Sequence, residues 1–326
     1  MLVHIIIPVA GKGTRLYPLT HTVPKPLIPV AGKPVLGHML DRLLPLNPNR
    51  ITLVVNPGTQ GVIEEYAESV APGLVECRVQ DAPLGIAHAV RAGGIERGPL
   101  LIILGDTIID APVGDWIKEG DFIGVKPVDD PRRFGVVELG ADGRIISAVE
   151  KPDEPKTNLA LVGLYYISDG ISLKRAIEEL IAKDMRTKNE YQLTDALGLM
   201  LKEGWRPLAR EIAEWFDCGK ISALLESNAL LLAKYPPEVP ALPGVEVRPP
   251  VAVHPSASVV GGRIGPNVTI MEGCSIEGSE ISDSVISPSA RISSSRLTQS
   301  VIGRNSAVVG FSGSLCLGDD SVVEGL

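Results

Sequence analysis

The chain has 326 residues, a net charge of -8, and hydrophobic and charged fractions of 44% and 21%. That length suits two domains, and that balance suits a soluble globular protein. The acidic balance argues against a nucleic-acid partner, whose surface shows as a basic patch or stripe. No apolar run approaches the roughly 20 residues of a membrane span, so no membrane partner is expected. The N-terminus runs straight into an apolar strand, without the basic, apolar and small-residue layout of a secretory signal, so a cytoplasmic location is expected. Cys77, Cys218, Cys274 and Cys316 are far apart and form no metal-spaced pair.

The first element is a buried strand around Ile5-Ile6-Ile7. It breaks into Pro8-Val9-Ala10-Gly11-Lys12-Gly13-Thr14-Arg15. Small residues there let backbone N–H groups approach an anion. Lys12, Arg15 and Lys25 add three cations, so the stretch predicts a polyphosphate site. Two common phosphate loops are excluded. Lys12 is followed by Gly13 and Lys33 by Pro34, not by Ser or Thr, and Leu16 stands where a dinucleotide fingerprint needs its third Gly. Lys33-Pro34 is expected to open a helix that runs on through residues 35–44.

Beyond it, strands are expected at 51–55, 76–80 and 100–104, with helices near 62–70 and 85–92 between them. Nearly all-apolar strands alternating with helices predict a parallel sheet covered on both faces. Ligands of such sheets sit off the carboxyl ends of the strands, where Gln80-Asp81 and Gly105-Asp106 fall. From Phe122 strands at 122–126, 135–139, 145–149 and 161–167 follow closely, predicting antiparallel elaboration and one return to the main sheet. Helices are expected at 172–183, 193–203 and 221–235.

Residues 236–250 are Pro-rich and read as a stiff linker. Ile264, Ile270, Ile276, Ile281, Ile286, Ile292, Leu297, Ile302 and Val308 then recur every five or six residues. That is the spacing of a hexapeptide-type left-handed β-helix, each edge burying one aliphatic residue. The fold class is therefore α/β: a Rossmann-like, mainly parallel mixed sheet over residues 1–235, and a short left-handed parallel β-helix over 251–326. The tail's stacked edges carry no acid–base pair, so assembly and stability are its expected roles, and a homo-oligomer is expected.

Gly11-Lys12-Gly13-Thr14-Arg15 and Pro24-Lys25-Pro26-Leu27-Ile28-Pro29-Val30 resemble the signature loop of the sugar-1-phosphate nucleotidyltransferases. The resemblance continues in chain order through Val79–Ala89 (the family's base-recognition segment) and Leu104-Gly105-Asp106 (its metal turn). It continues through Asp130–Val137, Glu150-Lys151-Pro152 and Val162–Tyr165 (its sugar-phosphate side), then Trp215-Phe216-Asp217-Cys218-Gly219 (its second metal turn). The whole set is most similar to the long-form glucose-1-phosphate thymidylyltransferases, which carry a β-helix tail.

The resemblance implies transfer of a nucleotidyl group from dTTP or UTP to a sugar 1-phosphate, glucose 1-phosphate by overall likeness, with release of pyrophosphate. It implies catalytic roles for Arg15, Lys25, Asp106, Lys151 and Asp217. Substrate contacts are implied at Ala10, Gly11, Gly13, Thr14, Gln80, Gly85, Gly135, Glu150, Val162 and Gly163. Mg²⁺ is the implied cofactor, held by Asp106 and Asp217, because that ion favours one or two carboxylates plus substrate oxygens. Gln80 offers a donor and an acceptor to a base edge. His88 is expected in the core or facing solvent. Ala10, in Pro8-Val9-Ala10-Gly11, departs from the usual Leu-Ala-Gly-Gly and resembles the bacterial UTP–glucose-1-phosphate uridylyltransferases, so thymidine and uridine both stay open. GDP-mannose or UDP-N-acetylglucosamine synthesis is the alternative within the class. A non-catalytic regulatory paralogue is the alternative outside it, and retention of all five catalytic candidates argues against that.

Overall fold

The computed structural model describes residues 3–325. By its internal contacts the chain forms two compact units: one takes the chain up to Gly11 with Met39–Trp215, the other Lys12–His38 with everything from Phe216 on.

The first unit is built on a nine-stranded sheet. Its parallel centre is β1 (His4–Pro8) flanked by β2 (Arg50–Val55) and β4 (Leu100–Ile103), with β3 (Val75–Val79) outside β2. Ile5, Ile6 and Ile7 are fully buried, as a strand covered on both faces requires. The return predicted from the sequence is β8 (Leu159–Ile167), which pairs antiparallel with β4. β5 (Phe122–Pro127), β6 (Gly135–Leu139) and β7 (Ile145–Glu150) extend the sheet antiparallel beyond it. Helices α1 (Ile86–Ala92), α2 (Gly170–Ala182) and α3 (Leu193–Lys202) cover one part of this sheet, with Val90, Leu173, Ile177 and Leu197 in a common core with Ile102 and Ile123.

Two differences from the sequence reading have simple causes. Lys33-Pro34 is a short strand paired with Pro29-Val30, and the helix begins only at Val35. Ala31 and Gly32 both take positive φ there, which is the geometry of a two-residue hairpin turn. A strand at Leu208–Glu211, β9, is also present and pairs parallel with β5. Its sequence, Leu-Ala-Arg-Glu, lacks the apolar run that marked the others, because an edge strand needs only one covered face.

In the second unit the tail is a parallel β-helix. Coils of 15 to 17 residues stack in register, so that Ile276 lies over Ile292 and Ile292 over Val308. Three faces follow one another along each coil: Val268–Ile270, then residues 275–277, then 280–282. All nine aliphatic residues of the repeat are at most 1% exposed and pack into one core. The first rung starts inside the Pro-rich stretch, where Glu246-Val247 pairs with Arg263-Ile264.

Inside the coils, serine hydroxyls link neighbours. Ser279 Oγ accepts from Ser295 N at 3.1 Å, and Ser295 Oγ from Phe311 N at 3.2 Å. Ser284 and Ser300 repeat the pattern. Each hydroxyl satisfies a backbone N–H at a corner, where the ladder is interrupted.

Candidate active site

In the first unit three groups of expected site residues come together. The first lies off β3. Gln80 is buried, and its side-chain nitrogen donates to the Gly85 carbonyl at 3.2 Å and faces His88 Nδ1 at 3.1 Å. A carbonyl oxygen only accepts, so the amide nitrogen must point this way. His88 Nδ1 then accepts, which needs a neutral ring protonated on Nε2. Burial first, and then Arg91, lower the His88 pKa, with Asp81 opposing. His88 is thus the partner of Gln80, which its place in the sequence gave no means of seeing. Gly85 opens α1, and its carbonyl also accepts from Ala89 N.

The second group lies on β6 and β7. Glu150 accepts from Thr194 Oγ1 at 2.7 Å and pairs with Lys151 Nζ at 3.2 Å. Gly135 leaves room for both partners: a Cβ there would lie 2.7 Å from Thr194 Oγ1 and 2.9 Å from Glu150 Oε2. Lys151 sits at φ +42°, its N–H bound to the Phe134 carbonyl. A non-glycine residue in that region is strained and needs its surroundings to hold it. Thr194 and Asp195 join this group from α3. Burial raises the Asp195 pKa, a Thr187 hydrogen bond works against it, and Glu150 adds to the rise.

The third group is the Asp106 turn. Gly105 N donates to the Pro8 carbonyl, and Leu104 N to the Gly163 carbonyl. Gly163 has φ +87°, and a Cβ there would lie 2.7 Å from Leu104 Cγ, so only glycine fits. The pairing of β8 with β5 shifts register between Leu161 and Tyr165, a bulge that bends the strand at Val162-Gly163. The Val162 side chain is buried, so only its backbone is available to a ligand. Trp215 joins this group to the previous one. Its Nε1 donates to Thr107 Oγ1 at 3.2 Å, and its ring meets Phe134 edge-on at 5.7 Å. At the end of β1, the Ala10 carbonyl accepts from Asn56 Nδ2, and Gly11 is exposed.

The second unit holds Gly13, Thr14, Arg15, Lys25 and Asp217. Gly13 is left-handed (φ +65°), and its carbonyl accepts from Leu16 N and Thr20 Oγ1. A Cβ at Gly13 would lie 2.9 Å from Thr20 and 3.2 Å from the Lys25 side chain, so the loop folds tightly back on itself. Thr14 and Arg15 are exposed and Lys25 is half-buried. Asp217 Oδ1 accepts from Gly219 N at 2.7 Å. A Cβ at Gly219 would lie 3.4 Å from an Arg15 guanidinium nitrogen, so Arg15 reaches the Asp217 turn. Among the described residues no three His, Cys, Asp or Glu side chains form a ready-made metal cage, and no helix is long and apolar enough to cross a membrane.

Known proteins resemble this chain. A Streptomyces griseus glucose-1-phosphate thymidylyltransferase is 31% identical over 95% of this chain and 96% of its own length. The Haloferax volcanii low-salt glycan biosynthesis nucleotidyltransferase Agl11 is 34% identical over 68% of this chain and 64% of its own. The bifunctional protein GlmU of Methanococcus vannielii is 31% identical over 72% and 56%. The match therefore spans only between about half and two thirds of the latter two relatives. A Bacillus anthracis structure described as a glucose-1-phosphate thymidylyltransferase, in complex with sucrose, superposes with a TM-score of 0.61 at 28% identity, over 70% of this chain and 94% of that one. A UDP-glucose pyrophosphorylase shares the fold at 22% identity and a TM-score of 0.62, over 72% of this chain and all of that one. The nucleotidyl transferase family model matches residues 4–234, and the chain belongs to that family.

Proposed function

We propose that the chain transfers a nucleotidyl group from dTTP or UTP to glucose 1-phosphate and releases pyrophosphate. The likeness to the Streptomyces griseus enzyme over nearly the whole of both chains, β-helix included, carries this reading. A phosphate oxygen of the sugar 1-phosphate attacks the α-phosphorus. The bond to the bridging oxygen breaks, and pyrophosphate leaves in line. Such a transfer asks the protein for position and charge neutralisation more than for covalent chemistry.

Arg15 and Lys25, on the Gly13 loop, would bind the triphosphate and the departing pyrophosphate. Ala10, Gly11, Gly13 and Thr14 would border the nucleotide. Gln80 spends its N–H groups on Gly85 and His88, so its carbonyl oxygen would accept from N3–H of thymine or uracil. Gly85 would border the base through its backbone, since the space a Cβ would take is filled by the Tyr191 backbone, 2.6 Å away. Lys151 would bind the sugar phosphate, and Glu150, held by Thr194, a sugar hydroxyl. Gly135, Val162 and Gly163 would border the sugar through backbone.

Asp106 and Asp217 are the proposed ligands of Mg²⁺, which would neutralise phosphate charge when bound. Both are carboxylates at turns, and Asp217 is oriented by its bond from Gly219 N. Two such groups completed by substrate oxygens suit Mg²⁺ and need no protein cage. A cytoplasmic location and a homo-oligomeric state belong to the same proposal.

The test is a matrix of dTTP, UTP, GTP, ATP and CTP against glucose, mannose and N-acetylglucosamine 1-phosphates with Mg²⁺, reading pyrophosphate release. Turnover is expected with dTTP or UTP and glucose 1-phosphate. A preference for GTP, or no turnover in any cell of the matrix, would overturn the proposal.

A further inference from the structure

The loop that carries Gly13, Arg15 and Lys25 is packed with the far end of the sequence. Thr22 Oγ1 donates to Asp319 Oδ2 at 2.8 Å, across 297 residues. The acceptor is fixed in its own coil, because Asp319 Oδ1 accepts from Arg304 N at 2.7 Å. Beside it a Cβ at Gly318 would lie 3.2 Å from Pro18 Cβ, so the coil approaches the loop backbone closely. Within the loop, Tyr17 and His21 stack at 4.1 Å.

A second attachment holds the other end of the stretch. Asn228, on the helix Ile221–Lys234, is fully buried. Its Oδ1 accepts from Ala31 N at 2.9 Å and from Thr269 Oγ1 at 2.6 Å, and its Nδ2 donates to the Asn267 carbonyl at 2.9 Å. One buried amide thus ties the hairpin turn at Ala31 to the early coils. The preceding residue, Ser227, donates to the Asp217 carbonyl. Residues 12–38 are therefore braced twice, by Asp319 in the last described coil and by the Asn228–Thr269 pair in an early one.

We propose that the β-helix positions the triphosphate loop, with Asp319 and Thr22 acting as positioning residues that never touch the nucleotide. The inference rests on the reading that the Gly13–Lys25 loop binds the triphosphate. A loop with exposed cations loses entropy when it closes on a ligand, and a loop already fixed loses less. Its anchor is far in sequence because the coil count sets how far along the prism the acceptor stands.

The experiment compares Thr22→Val, Asp319→Ala and the double variant with the intact full-length protein. It reads KM for both substrates, kcat, melting temperature, and hydrogen exchange at Leu16 and Tyr17, whose amides close the turn onto Gly13 and Thr14. Loss of one exposed bond to a carboxylate is expected to raise KM for the triphosphate about 3- to 10-fold. KM for the sugar 1-phosphate should move less than about 2-fold, and the loop amides should exchange faster by a similar factor to the triphosphate KM. The double variant should be no worse than Asp319→Ala alone, because Thr22→Val removes a bond that Asp319→Ala has already removed, while Asp319→Ala also frees Arg304 N. Thr22→Ser should restore both readouts. Additive effects, equal rises for both substrates, or unchanged exchange would overturn the inference. Arg15→Ala separates the two readings. A severe Arg15→Ala beside a silent Thr22→Val leaves the loop assignment standing and ends the bracing idea. A silent Arg15→Ala ends the loop assignment, while the exchange rates still decide whether Asp319 braces the loop.

Discussion

Gln80 and His88 share one hydrogen bond, 3.1 Å long, between an amide nitrogen and a ring Nδ1 that must accept it. Protonating His88 would set N–H against N–H and push the amide to turn. The His88 pKa is lowered by burial and by Arg91 against the pull of Asp81, so the ring is neutral near pH 7. As pH falls below the ordinary histidine value of about 6.5, KM for dTTP or UTP is expected to rise, with KM for the sugar phosphate unmoved. Gln80→Ala should flatten discrimination among the bases and abolish this pH dependence. A Gln80→Ala variant that keeps the base preference of the parent would place base choice elsewhere.

Asp106→Asn is expected to reduce kcat about 100-fold or more with a smaller effect on melting temperature, since the amide keeps the shape of the half-buried carboxylate. Asp217→Asn should behave alike, because an amide oxygen can still accept from Gly219 N while losing the charge. Titrating Mg²⁺ checks both: near-parental rates at saturating Mg²⁺ would refute the metal role of either carboxylate.

The local geometry of the candidate site was legible where a motif pairs a residue type with a turn. Asp106 follows a strand and Gly13 takes a left-handed turn, as strand ends and glycines mark in the chain, whereas Lys151 rested on the resemblance alone. The β-helix could be read because each edge must bury one aliphatic residue, and Ile264 through Val308 do so without exception. Partners supplied from a distance were not legible. Thr194 and Trp215 stand in ordinary helical and strand contexts, and only folding brings them to Glu150 and Thr107. The serine corners of the coils were not legible either, since a hydroxyl that caps a neighbouring coil looks like any surface serine. Asp319 is the extreme case: nothing local links it to Thr22.

Lys151→Ala should raise KM for the sugar 1-phosphate about 10- to 100-fold, the effect of losing a charge-assisted hydrogen bond. KM for the triphosphate should change much less. Lys151 pairs with Glu150, which Thr194 fixes, so Thr194→Val should give a weaker version of the same split. Initial rates over a grid of both substrates check this, and equal rises in both constants would mean Lys151 serves another group.

Acid stability offers a check independent of activity. His4, at the start of β1, is buried and bonds Thr52 Oγ1 through Nε2 at 2.8 Å. Arg50 faces its Nδ1 at 3.2 Å, so Nδ1 accepts and the ring proton lies on Nε2. Thr52 passes its own proton on to Glu76 Oε1 at 2.9 Å. A second ring proton would point at the Arg50 guanidinium. Burial first, and then Arg50, push the His4 pKa down to about 4, against the pull of Glu96 and Glu76. The unfolded chain takes up this proton near pH 6.5 and the folded chain only near 4. The stability His4 contributes is therefore complete above about pH 6.5, declines as pH falls, and levels off below about 4. Melting temperatures of the parent and of His4→Gln across that window are expected to differ in slope by about one proton, the parent falling more steeply. Parallel curves would show that His4 titrates alike in the folded and unfolded chain and that the neutral buried ring is wrong.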